Sequence, residues 1–349
     1  MRLKLISALL LVCLGAPALP AQSSPSPALL VLAKRASTLD VVDPSTLKVV
    51  WTAPAEPDPH EVEASPDGKL AYISNYGFGA YNTISRIDLV ARQALAPIDL
   101  GVLHGPHGLT FAGGELYFTA EANKVIGRYN PAMERVDWVL GTGQNRTHMI
   151  LVSEDLSRIF TSNVSSATVS IIEKSRGPAG GPAPPPNARG GPGRRGGSGA
   201  PDWNQTVIAV GRGSEGFDVA PNGKELWVAN AQDGTISIID LSSEKVTDTL
   251  NANVPGANRL KFTLDGKRVF VSSLGGGDLA VFDAASRREV KRLKVGHGAA
   301  GILMQPGGAR AYVACSPDNN VAVIDLKTLE VVGRVETGRG PDGLAWAAR

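Results

Sequence analysis

Residues 215–250 read EGFDVAPNGKELWVANAQDGTISIIDLSSEKVTDTL, and this stretch decides the fold. Four short runs rich in β-branched and aromatic residues, FDV, LWVA, ISII and VTDTL, alternate with turn-forming residues. Asn222-Gly223, between the first two runs, favours the positive backbone angles of a tight β-hairpin. The stretch therefore predicts a meander of four antiparallel strands in about 40 residues.

The same pattern recurs along the chain as an apolar run, a turn and a strand rich in β-forming residues. The second strands of successive units read AYIS, LYFT, IFTS, LWVA, VFVS and AYVA. The units begin at His60, His107, His148, Glu215, Asn258 and Ala300. Four strands repeating at this spacing are typical of a propeller blade, so six complete blades are predicted.

The two ends of the chain supply a seventh blade. The N-terminal segment LLVLAKRASTLDVVDPSTLKVVWTA holds three strands and lacks a first one, whereas the C-terminal GPDGLAWAA holds one strand. Joining them completes the blade and closes the ring, which removes the exposed edges of an open sheet. We therefore expect an all-β, seven-bladed propeller over residues 28–349.

Residues 1–21 have the features of a secretory signal peptide. Arg2 and Lys4 precede the apolar run LISALLLVCL, and small residues suited to cleavage follow in APALPAQ. The run is shorter than the roughly 20 residues that cross a bilayer, and Val12 before Cys13 argues against a lipoprotein signal. We expect a periplasmic or secreted protein without a transmembrane segment. Only Cys315 remains after cleavage, so no disulfide can form within the mature chain.

One segment departs from the repeat. Residues 174–202 are mainly Pro, Gly, Ser and Arg, with no apolar side chain larger than Ala or Pro, so we expect a disordered insert. Its arginines could contact an acidic partner, although a tolerated loop expansion is the simpler interpretation. The net charge of +2 implies no strong attraction to nucleic acid, which we do not expect as a partner.

The repeat resembles that of a known family. Residues 215–250 match the YVTN-type pattern GIAVSPDGKRVYVAN…TVSVIDLATGKVVATI almost throughout, and the resemblance covers the mature chain except the insert. The chain is thus similar to YncE-like periplasmic β-propellers. This resemblance implies a seven-bladed ring and export. It implies no single chemistry, because related propellers range from haem proteins to lactonases to binding proteins.

The first strand of each blade lines the central channel, so equivalent residues at the starts of these strands should form a ring. Counting back seven residues from each first hairpin gives His60, His107, His148, Glu215, Asn258, Ala300 and, in the C-terminal strand, Asp342. A second set lies three positions earlier and contains Pro57, His104, Asn145, Arg212, Pro255, His297 and Arg339. All five histidines of the chain belong to these two sets, which predicts that they share one face.

Further polar residues are expected on this face. Glu121 follows a second strand, and Glu61, Arg146 and Arg259 flank ring positions. The arginines suit an anionic ligand, but pairing with Glu61 or Glu215 would equally explain them. The predicted ligand-binding face consists of His60, Glu61, His104, His107, Glu121, Arg146, His148, Arg212, Glu215, Asn258, Arg259, His297, Arg339 and Asp342.

One divalent or transition-metal ion is a candidate cofactor. His60, His107 and His148 come from three adjacent blades and Glu215 from the next one. Three imidazoles and a carboxylate resemble a metal centre that keeps an open position. The alternative is a polar channel without metal, in which these side chains bind water or cap neighbouring loops.

The sequence leaves more than one class of function open. The first is an exported, monomeric binding or interaction protein whose channel face holds a small anionic or metal-containing ligand or a protein partner. The second is a metal-dependent enzyme of the lactonase or lyase type, with the His/Glu ring as its metal site. The regularity of the repeat and the lack of a compact catalytic set favour the first. The chain also has no Gly-x-Ser-x-Gly elbow and no phosphate-binding loop, so other chemistries find little support. Haem handling is a third interpretation, and the chain lacks a Cys-x-x-Cys-His attachment site.

Overall fold

A computed structural model describes residues 27–175 and 203–348. Within these ranges the strands form seven antiparallel sheets of four strands each. The sheets surround a central axis, so the predicted all-β, seven-bladed propeller is confirmed. The predicted signal peptide (residues 1–21) and nearly all of the predicted insert (residues 174–202) lie outside the described residues.

Each blade is a meander whose strands follow one another from the channel outward. Blade 1 contains β1 (Ala28–Ala33), β2 (Thr38–Asp43), β3 (Lys48–Pro54) and the C-terminal β28 (Pro341–Ala347). Blades 2, 3 and 4 contain β4 (Pro59–Ala64), β5 (Leu70–Asn75), β6 (Thr83–Asp88), β7 (Gln93–Asp99), β8 (Pro106–Ala112), β9 (Glu115–Ala120), β10 (Val125–Asn130), β11 (Arg135–Gly141), β12 (Thr147–Val152), β13 (Arg158–Asn163), β14 (Thr168–Lys174) and β15 (Trp203–Ala209).

The other three blades follow the same plan. Blades 5, 6 and 7 contain β16 (Ser214–Val219), β17 (Glu225–Asn230), β18 (Thr235–Asp240), β19 (Lys245–Leu250), β20 (Ala257–Phe262), β21 (Arg268–Ser273), β22 (Asp278–Asp283), β23 (Glu289–Lys294), β24 (Ala299–Met304), β25 (Arg310–Cys315), β26 (Asn320–Asp325) and β27 (Glu330–Glu336). Short 3₁₀ turns follow five of the second strands at Lys34–Ala36, Gly77–Gly79, Glu121–Asn123, Val164–Ser166 and Ser316–Asp318.

The chain ends close the ring as the sequence predicts. β28 pairs antiparallel with β1, with Leu29 opposite Trp346 and Val31 opposite Leu344. The first strands then contact one another in an unbroken cycle that runs from β4 through β8, β12, β16, β20 and β24 to β28 and back to β4. The residues at the starts of these strands therefore surround one channel entrance.

The core lies between neighbouring blades. Five of the six residues of β17 are buried, because both faces of this second strand pack against other sheets. On the outer strand β19 exposed and half-buried residues alternate, as expected for a strand with one face in solvent. Trp227 of blade 5 meets Phe262 of blade 6 edge to face, with ring centroids 5.6 Å apart. No helix among the described residues has the length and apolar character that crossing a membrane requires.

Candidate functional site

A β-bulge lies at the start of every first strand. In β4, Pro59 pairs with Asn75 and Val62 pairs with Ile73, so three steps on β4 match two on β5. The other six first strands show the same shift. Bulges re-aim side chains, and here His60 and Glu61, adjacent in sequence, both reach groups across the channel entrance. In each first strand, the residue directly after the first paired residue lies at the equivalent position in the bulge. These residues are His60, His107, His148, Glu215, Asn258, Ala300 and Asp342.

Three of these ring residues form a buried ladder of imidazoles. His60 Nδ1 lies 3.2 Å from His107 Nε2. The rings of His107 and His148 are tilted by 33° with centroids 3.7 Å apart. His107 and His148 are each only 2% exposed, so nothing but their immediate neighbours can satisfy their nitrogens. The ring spacing of the repeat therefore brings side chains from three blades into contact.

His148 is held between two carboxylates. Its Nδ1 lies 2.5 Å from Glu121 Oε1, and its Nε2 lies 2.7 Å from Glu215 Oε2. Burial alone would lower the pKa of His148, but the charge of Glu215 and the hydrogen bonds to both carboxylates outweigh it and raise the pKa. Burial likewise opposes ionisation of Glu215, yet His148 and the nearby arginines lower the pKa of this carboxyl to about 2. Both nitrogens of His148 thus face carboxylate oxygens, an arrangement that favours the imidazolium form.

The other two histidines of the ladder are neutral. Burial, followed by the charges of neighbouring cations, lowers the pKa of His60 to about 2 and that of His107 well below 6.5. Lys34 Nζ, which can only donate, lies 3.3 Å from His60 Nδ1, so this nitrogen carries a lone pair. In the tautomer in which His107 Nε2 shares this lone pair as a second donor, His107 Nδ1 is itself a lone pair, and it has no hydrogen-bond partner.

Arg146 and Tyr76 surround Glu121. The Tyr76 hydroxyl donates to Glu121 Oε2 at 2.5 Å, and Arg146 Nε lies 3.5 Å from the same oxygen. Arg146 Nη1 also lies 3.8 Å from Glu215, so this arginine bridges the two carboxylates that hold His148. These contacts orient the Glu121 carboxylate toward the imidazole ladder.

An ion pair spans the channel entrance. Arg259 of blade 6 donates to Glu61 of blade 2, although blades 7 and 1 lie between them in the ring. Arg259 also lies 3.4 Å from Asn258 Oδ1. Beside this pair, burial raises the pKa of Asp342 to about 6, and Lys34 lies 3.8 Å from the Asp342 carboxylate. The pair joins opposite sides of the ring at the level of the histidines.

We call this group of contacting side chains the channel cluster. From the predicted face it contains His60, Glu61, His107, Glu121, Arg146, His148, Glu215, Asn258, Arg259 and Asp342.

Four residues of the predicted face lie away from the channel cluster. The side chain of His297 is 82% exposed and pairs with Asp318 at 2.9 Å. Arg212 is 73% exposed and pairs with Asp233. His104 is half-buried, with Nδ1 3.2 Å from the Ala80 carbonyl oxygen, and Arg339 is exposed. The set three positions before the ring therefore faces solvent.

The predicted ligand-binding face leaves out Tyr76, Lys34 and Asp58, which belong to the channel cluster. Tyr76, Lys34 and Glu121 each occupy the first position after the second strand of their blades. The sequence places Tyr76, like Glu121, at the end of a second strand on this face, and the same position in blade 1 is Lys34. Asp58, whose Oδ1 lies 3.3 Å from His60 Nε2, precedes the first strand and carries no such periodic signal.

Among the described residues, one group of three side chains has the spacing of metal ligands. His107, Glu121 and His148 each offer one ligand atom, and these atoms all lie within 4.8 Å of one another. All three residues are buried. Glu215, by contrast, contacts Nε2 of His148, whereas Glu121 contacts Nδ1 of the same ring. Imidazole and carboxylate together suit zinc and similar divalent ions.

A family model for YNCE-like β-propellers matches residues 196–310. An uncharacterised YncE protein from Salmonella typhimurium is 27% identical over 147 residues, which span 41% of each chain. Over these residues the chain is similar to YncE-like β-propellers, and its seven four-stranded sheets agree with that likeness. The match spans 41% of the length of that relative, so the similarity concerns only this part of the two proteins.

Solved structures similar to this propeller share its fold. A candidate 6-phosphogluconolactonase from Bacteroides uniformis has a TM-score of 0.72 at 14% identity, covering 92% of this chain and 99% of that one. Hydrazine synthase from Kuenenia stuttgartiensis has a TM-score of 0.66 at 17% identity, covering 84% and 90%. The dihydro-heme d1 dehydrogenase NirN has a TM-score of 0.61 at 14% identity, covering 91% and 74%. At such identities the likeness concerns the fold alone.

Proposed function

We propose that this propeller is an exported binding protein that holds one divalent transition-metal ion in the channel cluster. The ligands would be His107, Glu121 and His148, with His60 beside them. The observation that carries the proposal is the unpartnered Nδ1 of His107, a buried lone pair in a residue whose ligand atom lies within 4.8 Å of those of Glu121 and His148. A buried polar atom without a partner costs free energy, which coordination of a cation would recover.

The charges of the channel cluster support the same conclusion. Three permanent cations face five carboxylates in the channel cluster. The cations are Lys34, Arg146 and Arg259. The carboxylates are those of Asp58, Glu61, Glu121, Glu215 and Asp342. In the metal-free protein the imidazolium of His148 offsets part of this excess. His148 must lose its extra proton to become a metal ligand. The carboxylates then exceed the cations by two negative charges, which one divalent cation would neutralise.

Outer contacts also favour Glu121 over Glu215 as the carboxylate ligand. Tyr76 and Arg146 hold the Glu121 carboxylate toward His107 and His148. Such outer hydrogen bonds orient metal ligands and usually affect affinity by about 10- to 100-fold. Compared with the set predicted from sequence, His60, His107, His148 and Glu215, the proposed set has Glu121 in place of Glu215 and leaves His60 beside the ligands.

Zinc titration of the metal-free protein, purified without a histidine tag, tests the proposal. We expect binding of one equivalent and a rise in melting temperature, because a ligand at 100 times its Kd adds about 2.7 kcal/mol to the free energy of unfolding. Glu121→Gln and His107→Gln should each weaken zinc binding by at least about tenfold, as loss of one ligand requires.

His104→Gln and His297→Gln are the matched controls. They remove the same side chain outside the channel cluster, so zinc affinity should stay within about twofold of wild type, a difference below RT. Absence of zinc, copper or cobalt binding would overturn the proposal, as would equal losses in all four variants. Turnover of a lactone by the zinc-loaded protein would instead support the enzyme interpretation, and a visible absorbance band would support haem handling.

A further inference from the structure

The loop between the second and third strands of blade 2 differs from its six equivalents. In blade 2, β5 ends at Asn75 and β6 begins at Thr83, which leaves seven residues between them. In each of the other blades the corresponding loop has four residues, such as the one between Ala120 and Val125. The extra residues therefore occur in a loop whose aromatic rings lie against His60.

The enlarged loop, residues 76–82, places aromatic rings at the channel entrance. Phe78 is 81% exposed and Tyr81 is 40% exposed, and no other aromatic side chain of the described residues is comparably exposed. Phe78 also adopts a left-handed backbone conformation with φ of 50°. Other bulky residues in turns of the described chain share this conformation, among them Leu47 and Leu156, so the exposure of the ring is the distinguishing feature. An aromatic ring left this exposed contributes little to the stability of the propeller, which points to a role in binding.

The Phe78 ring continues the imidazole ladder outward. Its centroid lies 5.4 Å from that of Tyr76 and 6.4 Å from that of His60. His60 lies 4.9 Å from His107, whose ring contacts His148. A continuous row of rings thus leads from solvent to the three candidate metal ligands. A molecule lying on Phe78 would contact the outer end of this row, which Tyr76 links to His107 with ring centroids 5.2 Å apart.

The exposed apolar surface of this loop fits a small molecule better than a protein. Beyond Phe78 and part of Tyr81 it extends only to Val102, which is 79% exposed on the neighbouring loop. Backbone contacts join the two loops, with Gly105 donating to the Tyr81 carbonyl oxygen at 2.7 Å. A stable protein interface buries about 800 Å² on each partner, far more than these side chains offer. One planar ring, by contrast, covers a phenylalanine face.

We propose that residues 76–82 form an aromatic subsite, and that the ligand is an organic molecule with a metal-coordinating head group and a planar aromatic body that stacks on Phe78. This rests on the proposed metal site, which would take the head group. The subsite would distinguish metal-binding molecules by the part that does not coordinate the ion and would prefer an aromatic one. The head group alone would not discriminate, because any group with suitable donor atoms can coordinate the ion.

The test uses two hydroxamates that share a head group. Benzohydroxamate carries a phenyl ring and acetohydroxamate carries a methyl group. The difference between their affinities therefore reports the contribution of the phenyl ring alone. With the zinc-loaded full-length protein, we expect benzohydroxamate to bind about tenfold more tightly, since aromatic contacts contribute about this factor. Phe78→Ala should remove most of this preference and leave the affinities for acetohydroxamate and for zinc alone unchanged. Phe78→Trp should restore the preference, because it retains a stacking surface.

Val102→Ala is the control, since it removes a comparably exposed apolar side chain that has no ring. It should leave the phenyl preference unchanged. A protein that binds zinc but binds both hydroxamates equally would overturn the aromatic subsite and leave the proposed function intact. A protein that binds no zinc would overturn both. Equal loss of preference in the Phe78→Ala and Val102→Ala variants would show general apolar contact and would also overturn the stacking role.

Discussion

His104 and His107 lie three residues apart in blade 3 and have opposite surroundings. His104 is half-buried and contacts a backbone oxygen of the neighbouring loop. His107 is 2% exposed and lies between two other imidazoles. The difference comes from the bulge at the start of β8, which directs His107 into the channel, whereas the residues before it belong to a surface loop. Position relative to the bulge therefore decides the role of a histidine here.

The same contrast extends to charged pairs. Arg259 and Glu61 form a nearly buried pair across the channel, whereas Arg212 and Asp233 form a pair on the surface. A buried charge needs its partner because water cannot solvate it. A surface charge is stabilised by water, so the loss of its partner costs little. The inner ring and the outer loops should accordingly respond very differently to matched substitutions.

The largest effect should follow from His148→Ala. Both carboxylates that hold His148 are nearly buried, and removal of the imidazolium leaves them facing each other with only Arg146 as a shared cation. We expect a loss of about 3 kcal/mol in the free energy of unfolding, measured by urea denaturation of the metal-free protein. His297→Ala removes an 82% exposed side chain and should change stability by less than about 0.5 kcal/mol. Similar losses in the two variants would contradict the contrast.

A somewhat smaller loss should follow from Glu61→Gln. The guanidinium of Arg259 would remain 10% exposed without its carboxylate, with Asp342 and Glu215 as the remaining nearby acids. We expect a loss of about 2 kcal/mol, measured in the same way. The matched surface variant is Asp233→Asn, for which the expected loss is below about 1 kcal/mol. If adding Arg259→Met to Glu61→Gln failed to recover stability, the penalty would not arise from an unpaired charge.

The pH dependence of stability should report the raised pKa of His148. Because the pKa of His148 in the folded protein lies above 6.5, its contribution is complete below about pH 6.5 and is lost as the pH rises through the folded-state pKa. The difference in unfolding free energy between wild type and His148→Gln, measured by urea denaturation at a series of pH values, should therefore shrink as the pH rises above about 6.5. A difference that grows with pH would contradict the raised pKa.

The smallest effect should follow from deleting residues 176–202. The flanking residues Lys174 and Trp203 already pair across β14 and β15, so a short glycine-containing turn can join the two strands. We expect a change within about 0.5 kcal/mol in the free energy of unfolding, because loop length has little effect on stability. A Gly/Ser segment of the same length is the control. A large drop in melting temperature in both variants would show that the native segment packs against the propeller.

The repeat makes most of the fold predictable from the sequence alone. Hairpin signals and β-rich runs recur in a constant phase, so counting from Asp67 or Asn222 identified the ring position in each blade. The closure of blade 1 by β28 followed from the missing first strand at the N-terminus and the single strand at the C-terminus. These conclusions needed only local pattern and sequence order.

The partners of the ring residues were decided by the tertiary structure. Glu121 lies in a loop of blade 3 but bonds His148 of blade 4, and Arg259 reaches Glu61, 198 positions away. Periodicity specifies which residues share a rim, because it fixes the blade and the level of each residue. It does not specify side-chain direction at a bulge, where the alternation of the strand is broken, so the contacts of the channel cluster depend on how seven sheets pack around one axis.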